Sequence, residues 1–167
     1  MKKAYQLKRL FWHNPKNFDK PNIRCYGTDG IIVSGVEFIL CDSKGQPKNI
    51  FIAVNSLGDN QMYYEENTKT GLGNIHGDKT KIFDNITCSI LNETSELTDN
   101  MDQCKHLPRC PKLNFVNFYA LSRKEKFYKT LTYREIHLRE HPYYPLYIYF
   151  RQLLDEMRKV AAQNLQS

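Results

Sequence analysis

No apolar run in this chain is long enough to cross a bilayer. The longest, such as Phe38–Cys41 and Leu146–Phe150, fall far short of the roughly 20 residues that a spanning helix needs. No apolar leader follows the N-terminal lysines, because Leu10-Phe11-Trp12 is broken at once by His13-Asn14-Pro15. A secretory signal is therefore not expected. The cysteines are few and odd in number, at irregular spacings (Cys25, Cys41, Cys88, Cys104 and Cys110), which gives no disulfide ladder. These absences together predict a soluble intracellular protein, cytoplasmic or nuclear, with mostly free thiols and no membrane contact. Internal repeats and low-complexity segments are also lacking, and that excludes solenoids and compositionally biased tails.

Catalytic signatures are missing as well. Gly71-Leu72-Gly73-Asn74-Ile75-His76-Gly77-Asp78-Lys79-Thr80 invites comparison with a phosphate loop, but Asp78 separates Gly77 from the Lys-Thr pair and no buried strand leads into it. It reads as a surface loop. Nucleophilic catalysis would need a thiolate beside a base that a third group orients. Cys25 or Cys41 with His76 is the least strained pairing, and scattered surface histidines with inert thiols are the competing reading. His137 and His141 stand four apart on an expected helix, without the accompanying Glu of a metalloprotease motif.

What the chain does have is charge laid down in blocks. Residues 1–24 hold Lys2, Lys3, Lys8, Arg9, Lys16, Lys20 and Arg24 against Asp19 alone, a net +6 that equals the formal charge of the whole chain. Residues 25–103 carry 5 basic and 12 acidic side chains, residues 104–129 carry 7 and 1, and residues 130–167 carry 5 and 4. Segregation of this kind lets one surface meet a polyanion while the rest stays neutral or acidic. In the second basic block Lys105, Arg109 and Lys112 precede Arg123-Lys124-Glu125-Lys126-Phe127-Tyr128-Lys129, and the first block has Phe11 and Trp12 among its cations. Cations can neutralise phosphates and exposed rings can stack on unpaired bases. The competing reading makes the rings core residues and the lysines their solvated opposite faces.

With 167 residues, 41% hydrophobic and 25% charged, the chain is long enough to build one core without disulfides or metal. Ile31–Cys41, with Gly35 inside it as a bend, and Asn49–Val54 read as strands joined by the turn cluster Asp42–Pro47. Gln61–Glu66, Lys81–Leu91 and Leu113–Leu121 read as further strands, with a loop at 68–80 and a short helix within 92–103. Thr132 and Glu135 match a capping box for a short helix over Tyr133–His141. Apolar residues at three- and four-residue spacing from Leu146 to Ala161 predict an amphipathic helix over 145–164. The fold expected is α+β, a single domain built on a mainly antiparallel sheet of about five strands, with the long C-terminal helix packed on one face. Its parts are a basic N-terminal segment (1–24), a β-rich core (25–121) and a helical C-terminal part (131–165).

The densest group of soft ligands is Cys104-Lys105-His106-Leu107-Pro108-Arg109-Cys110, with Cys88 upstream. Zinc binding would draw on Cys88, Cys104, His106 and Cys110. A single short knuckle and the cramped Cys104-x-His106 pair argue for a packed loop instead, so no cofactor is expected. The reading that follows is a binding protein without chemistry of its own, whose partner is nucleic acid or an acidic protein. Its contacts would be Lys2, Lys3, Lys8, Arg9, Trp12, Arg123, Lys124, Lys126 and Lys129. The first alternative is a regulatory or inhibitory adaptor anchored by Tyr143, Tyr144 and Tyr147. The second is a cysteine- or metal-dependent enzyme.

Overall fold

Asp42 organises the first tight turn of the fold. Its carboxylate accepts the Lys44 and Gln46 amides, each at 2.9 Å, and Gly45 turns the chain at φ 75°, a left-handed conformation that glycine adopts without penalty. The turn joins strands β1 (Ile31–Cys41) and β2 (Pro47–Asn55), which pair antiparallel over their whole length from Cys41 opposite Pro47 to Val33 opposite Asn55. A computed structural model describes residues 30–64, 71–73, 81–106 and 108–164.

A second tight turn, held by Asn55 Oδ1 accepting from the Leu57 and Asp59 amides, leads into β3 (Asn60–Tyr64). The expected loop at 68–80 contains a short strand, β4 (Gly71–Gly73), on β3. Further along come β5 (Asp102–Gln103), β6 (Phe115–Ser122) and β7 (Lys126–Thr132). All pairings are antiparallel, and the order across the sheet is β4-β3-β2-β1-β6-β7-β5. Among the described residues the sheet thus has seven strands rather than about five.

The largest departure from expectation is α1 (Lys81–Leu97), a helix where Lys81–Leu91 reads as a strand. Its β-branched residues favour extended backbone, but Phe83, Thr87, Ile90, Leu91, Thr94 and Leu97 fall at helical spacing and all are buried. Packing of that stripe against the sheet overrides the weak local preference. Hydroxyls lock the helix in place. Thr94 donates to the Ile90 carbonyl and sits 2.7 Å from the Ser34 hydroxyl on β1, while Thr87 donates to Asn60 on β3.

The capping box forms as the sequence predicts. Thr132 Oγ1 accepts from the Glu135 amide, and Glu135 Oε2 accepts from the Thr132 amide at 2.7 Å. The helix it opens, α2 (Tyr133–Ile136), is shorter than expected. His137 is its C-cap and His141 lies in the turn beyond, so the two are not neighbours on one helical face. Helix α3 runs from Tyr144 to Asn164, about 30 Å at 1.5 Å per residue. Its Leu146, Phe150, Leu153, Leu154 and Met157 join α1 in covering one sheet face, through Val36, Phe38, Ile52, Val54, Val116 and Phe118. No helix among the described residues is long and apolar enough to cross a membrane.

Strand alternation gives the sheet a second face with a smaller buried cluster of Val33, Phe51, Ala53, Tyr119 and Leu121. Gly35 allows close packing there, since a Cβ at that position would stand 3.1 Å from the Phe51 ring and 3.3 Å from the Ile52 carbonyl.

Candidate functional site

Of the cations singled out in the sequence, Lys2, Lys3, Lys8 and Arg9, together with Trp12, lie outside the described residues. Arg123 and Lys124 occupy the β6–β7 turn, and both are exposed. The turn is built by Ser122, whose hydroxyl accepts from the Lys124 and Glu125 amides and whose own amide donates to the Glu125 carbonyl. Lys126 and Lys129 do not share a surface. Cross-strand partners project to the same side, so Lys126, opposite Leu121, lies on the second face, while Lys129, opposite Phe118, lies on the face that carries the helices. Three residues apart on a strand means opposite sides.

The short β5 changes the grouping. Asp102 pairs with Tyr128 and Gln103 with Phe127, the Cys104 amide donates to the Lys126 carbonyl, and Gln103 Nε2 donates to Glu125 Oε1 at 2.9 Å. This pairing sets exposed Lys105 beside the β6–β7 turn. Lys105, Arg123, Lys124 and Lys126 therefore gather at one end of the sheet, where the Glu125 carboxylate is engaged by Gln103. Nothing in the sequence marks β5, which is two residues long and takes its conformation from its partner strand.

Of the interleaved rings, Phe11 and Trp12 lie outside the described residues and the two described ones are engaged by the core. Phe127 packs on the main core and Tyr128 on the second cluster, both half-buried. Of the tyrosines expected to anchor an adaptor, Tyr143 is 2% exposed and Tyr147 5%, while Tyr144 is half-buried. Tyr143 packs 5.3 Å from the Phe118 ring, and Tyr147 meets Tyr133, His137 and the Arg151 guanidinium. Spacing in the sequence marks these tyrosines as a cluster, but only packing shows that they face inward.

Further along the strands from the basic end, the second face holds a buried polar network that the sequence reading overlooks. Tyr119 OH donates to Glu37 Oε2 at 2.6 Å, and Asn49 Nδ2 donates to Glu37 Oε1 at 2.9 Å. Asn117 Nδ2 donates both to Tyr119 OH and to the Arg109 carbonyl, each at 2.9 Å, and its Oδ1 accepts from Thr130. Burial, with the negative Glu37 next, holds the Tyr119 phenol well above its ordinary pKa. It stays a neutral donor. Through Asn117 the network pins segment 108–111 across the sheet with the Arg109 side chain exposed. The available signal was a Glu and an Asn in the middle of otherwise apolar strands.

The zinc set is not assembled. Cys88 is disulfide-bonded, which removes it as a thiolate donor, while Cys41, Cys104 and Cys110 are free thiols. Cys104 is half-buried in the second cluster, where burial pushes its thiol pKa up, away from the thiolate that zinc needs. Cys110 accepts a long 3.6 Å bond from Asn49, and His106 is exposed. Among the described residues no three His, Cys, Asp or Glu side chains stand close enough to hold a metal ion. Cys41 is a free, exposed thiol at the end of β1, while Cys25 and His76 lie outside the described residues. Compared with known proteins, the chain matches no family model, no curated protein and no solved structure.

Proposed function

We propose that this protein binds nucleic acid through its phosphate backbone, at the end of the sheet where Lys105, Arg123, Lys124 and Lys126 gather. The observation that carries the reading is this convergence: the β5–β7 pairing brings cations some 20 positions apart in sequence onto one rim. Charged side chains on a strand edge and turn are well suited to phosphate contact, which needs positive charge and reach rather than a shaped cavity. Among the described residues Phe127 and Tyr128 pack against the two clusters, which leaves phosphate contact as the main mode of binding at this rim. Binding here is expected to be insensitive to sequence and steeply dependent on salt.

Four neutralised phosphates correspond to a log–log salt slope of about −3 to −4. The test is binding to single- and double-stranded DNA and RNA across a salt series. A Lys105→Gln/Arg123→Gln/Lys124→Gln variant should weaken binding uniformly across sequences and flatten the slope by about 1 per cation removed. Lys129→Gln, on the other side of the sheet, should change the slope little. Equal slopes for the triple variant and the unaltered protein would overturn the reading. Binding to polyglutamate but to no nucleic acid would replace it with an acidic protein partner.

A further inference from the structure

The disulfide at Cys88 lies on α1, and protein disulfides persist in oxidising compartments while remaining rare in the reducing cytosol. It gives new weight to two tripeptides on the same helix. Asn85-Ile86-Thr87 and Asn92-Glu93-Thr94 both match the acceptor pattern Asn-x-Ser/Thr, which is idle in the cytosol and is modified where disulfides also form. The structure treats the two asparagines differently. Asn85 is exposed. Asn92 is partly buried, and its carboxamide oxygen is buried without a hydrogen-bond partner, so a sugar on the adjoining nitrogen would press against packed protein.

We infer that Asn85 carries an N-linked glycan in an oxidising compartment and that Asn92 carries none. The Asn85 side-chain nitrogen forms a bond to the anomeric carbon of a polyprenyl-pyrophosphate-linked oligosaccharide. The bond from that carbon to the pyrophosphate oxygen breaks, the polyprenyl pyrophosphate leaves, and the amide proton passes to a base. Two features of α1 suit this acceptor. Ile82 is 56% exposed and stands one helical turn before Asn85, about 5–6 Å away between Cβ atoms, so the first sugar covers an apolar side chain otherwise open to water. Thr87 is buried and donates to Asn60 Oδ1 at 2.7 Å, which means that the tripeptide can be read only before α1 docks. The β-branched residues of this stretch favour extended backbone until the sheet is present, and that keeps the acceptor accessible in the nascent chain. Asn60 starts β3, four steps from β7 in the strand order, roughly 19 Å at about 4.8 Å per step. A glycan anchored beside β3 leaves the basic rim open, and the assignment is independent of the nucleic-acid reading.

The test uses the full chain captured from the cells that make it. Cys88 should resist alkylation in the denatured chain until a reductant is added. An amidase that releases N-glycans, used in heavy-oxygen water, converts the carrier asparagine into a labelled aspartate. The expected result is one downward step in apparent mass, with the label at Asn85 and none at Asn92 by peptide mass spectrometry. Asn85→Gln should abolish the step with unchanged far-UV circular dichroism, and Asn92→Gln should leave it in place. No step in mass, a label at Asn92, or alkylation of Cys88 before reduction would each overturn the inference. Absence of nucleic-acid binding with Asn85 labelled would sink the functional reading alone.

Discussion

Removing one oxygen, in Tyr119→Phe, tests whether the polar network on the second face is formed as described. The ring remains, so its edge-on contact with Phe51 at 5.9 Å is kept and no cavity opens. What is lost is the 2.6 Å bond to Glu37 and the acceptor of one 2.9 Å bond from Asn117. Asn117 keeps Arg109 and Thr130 as partners, and Glu37 keeps Asn49. The dominant loss is thus one buried hydrogen bond to an acidic group, worth about 2 kcal/mol. Against a total stability of about 5–15 kcal/mol this is a large fraction. For a chain of this size it lowers Tm by about 4–8 °C, and at a urea m-value of about 2 kcal/mol/M it moves the midpoint by about 1 M. Urea unfolding followed by circular dichroism measures it. The m-value should stay constant, and a Glu37→Gln/Tyr119→Phe double-mutant cycle should return a coupling of about 1–2 kcal/mol. A shift in stability below about 0.5 kcal/mol, or a coupling near zero, would refute the network.

Gly35→Ala should destabilise by about 1–3 kcal/mol, because the new Cβ is pressed against the Phe51 ring and the Ile52 backbone carbonyl, which cannot swing away; thermal melting with an unchanged Tm would disprove this. Alkaline pH provides a further check. Burial pushes the Tyr133 phenol up to about 12 and raises Tyr119 and Tyr143 as well. Above the ordinary tyrosine pKa of about 10 the unfolded chain releases these protons while the native chain retains them, so stability is full below pH 10 and falls as pH climbs towards 12. Melting temperatures between pH 9 and pH 12 should decline, and less steeply in Tyr119→Phe.

Some of this structure is dictated within a few residues. The Asp42–Gly45 turn that closes the first hairpin and the Thr132–Glu135 capping box are local, each satisfied by atoms two to four positions apart. The α3 stripe is legible for the same reason: its repeat persists over many turns, so the pattern speaks for itself. Helix α1 is not legible this way, because its β-branched residues are individually at home in strands and only the sheet beneath them rewards the helical spacing. Strand β7 hides in a run of lysines and aromatics, since its period is split between two faces that are both partly covered. The basic rim lies further still from the sequence line. Charge counts alone mark 104–129 as a cationic block, but they cannot separate Lys126 from Lys129 or bring Lys105 to Arg123.

The sequence by itself determined the turns, the cap and the segregation of charge, all properties of neighbouring residues. Only the tertiary structure decided which cations share a surface and that Tyr143 and Tyr147 face inward. It also decided that Glu37 and Tyr119 meet 82 positions apart. Such contacts depend on strand order and register, and those are fixed by the burial of the whole sheet rather than by any stretch of it.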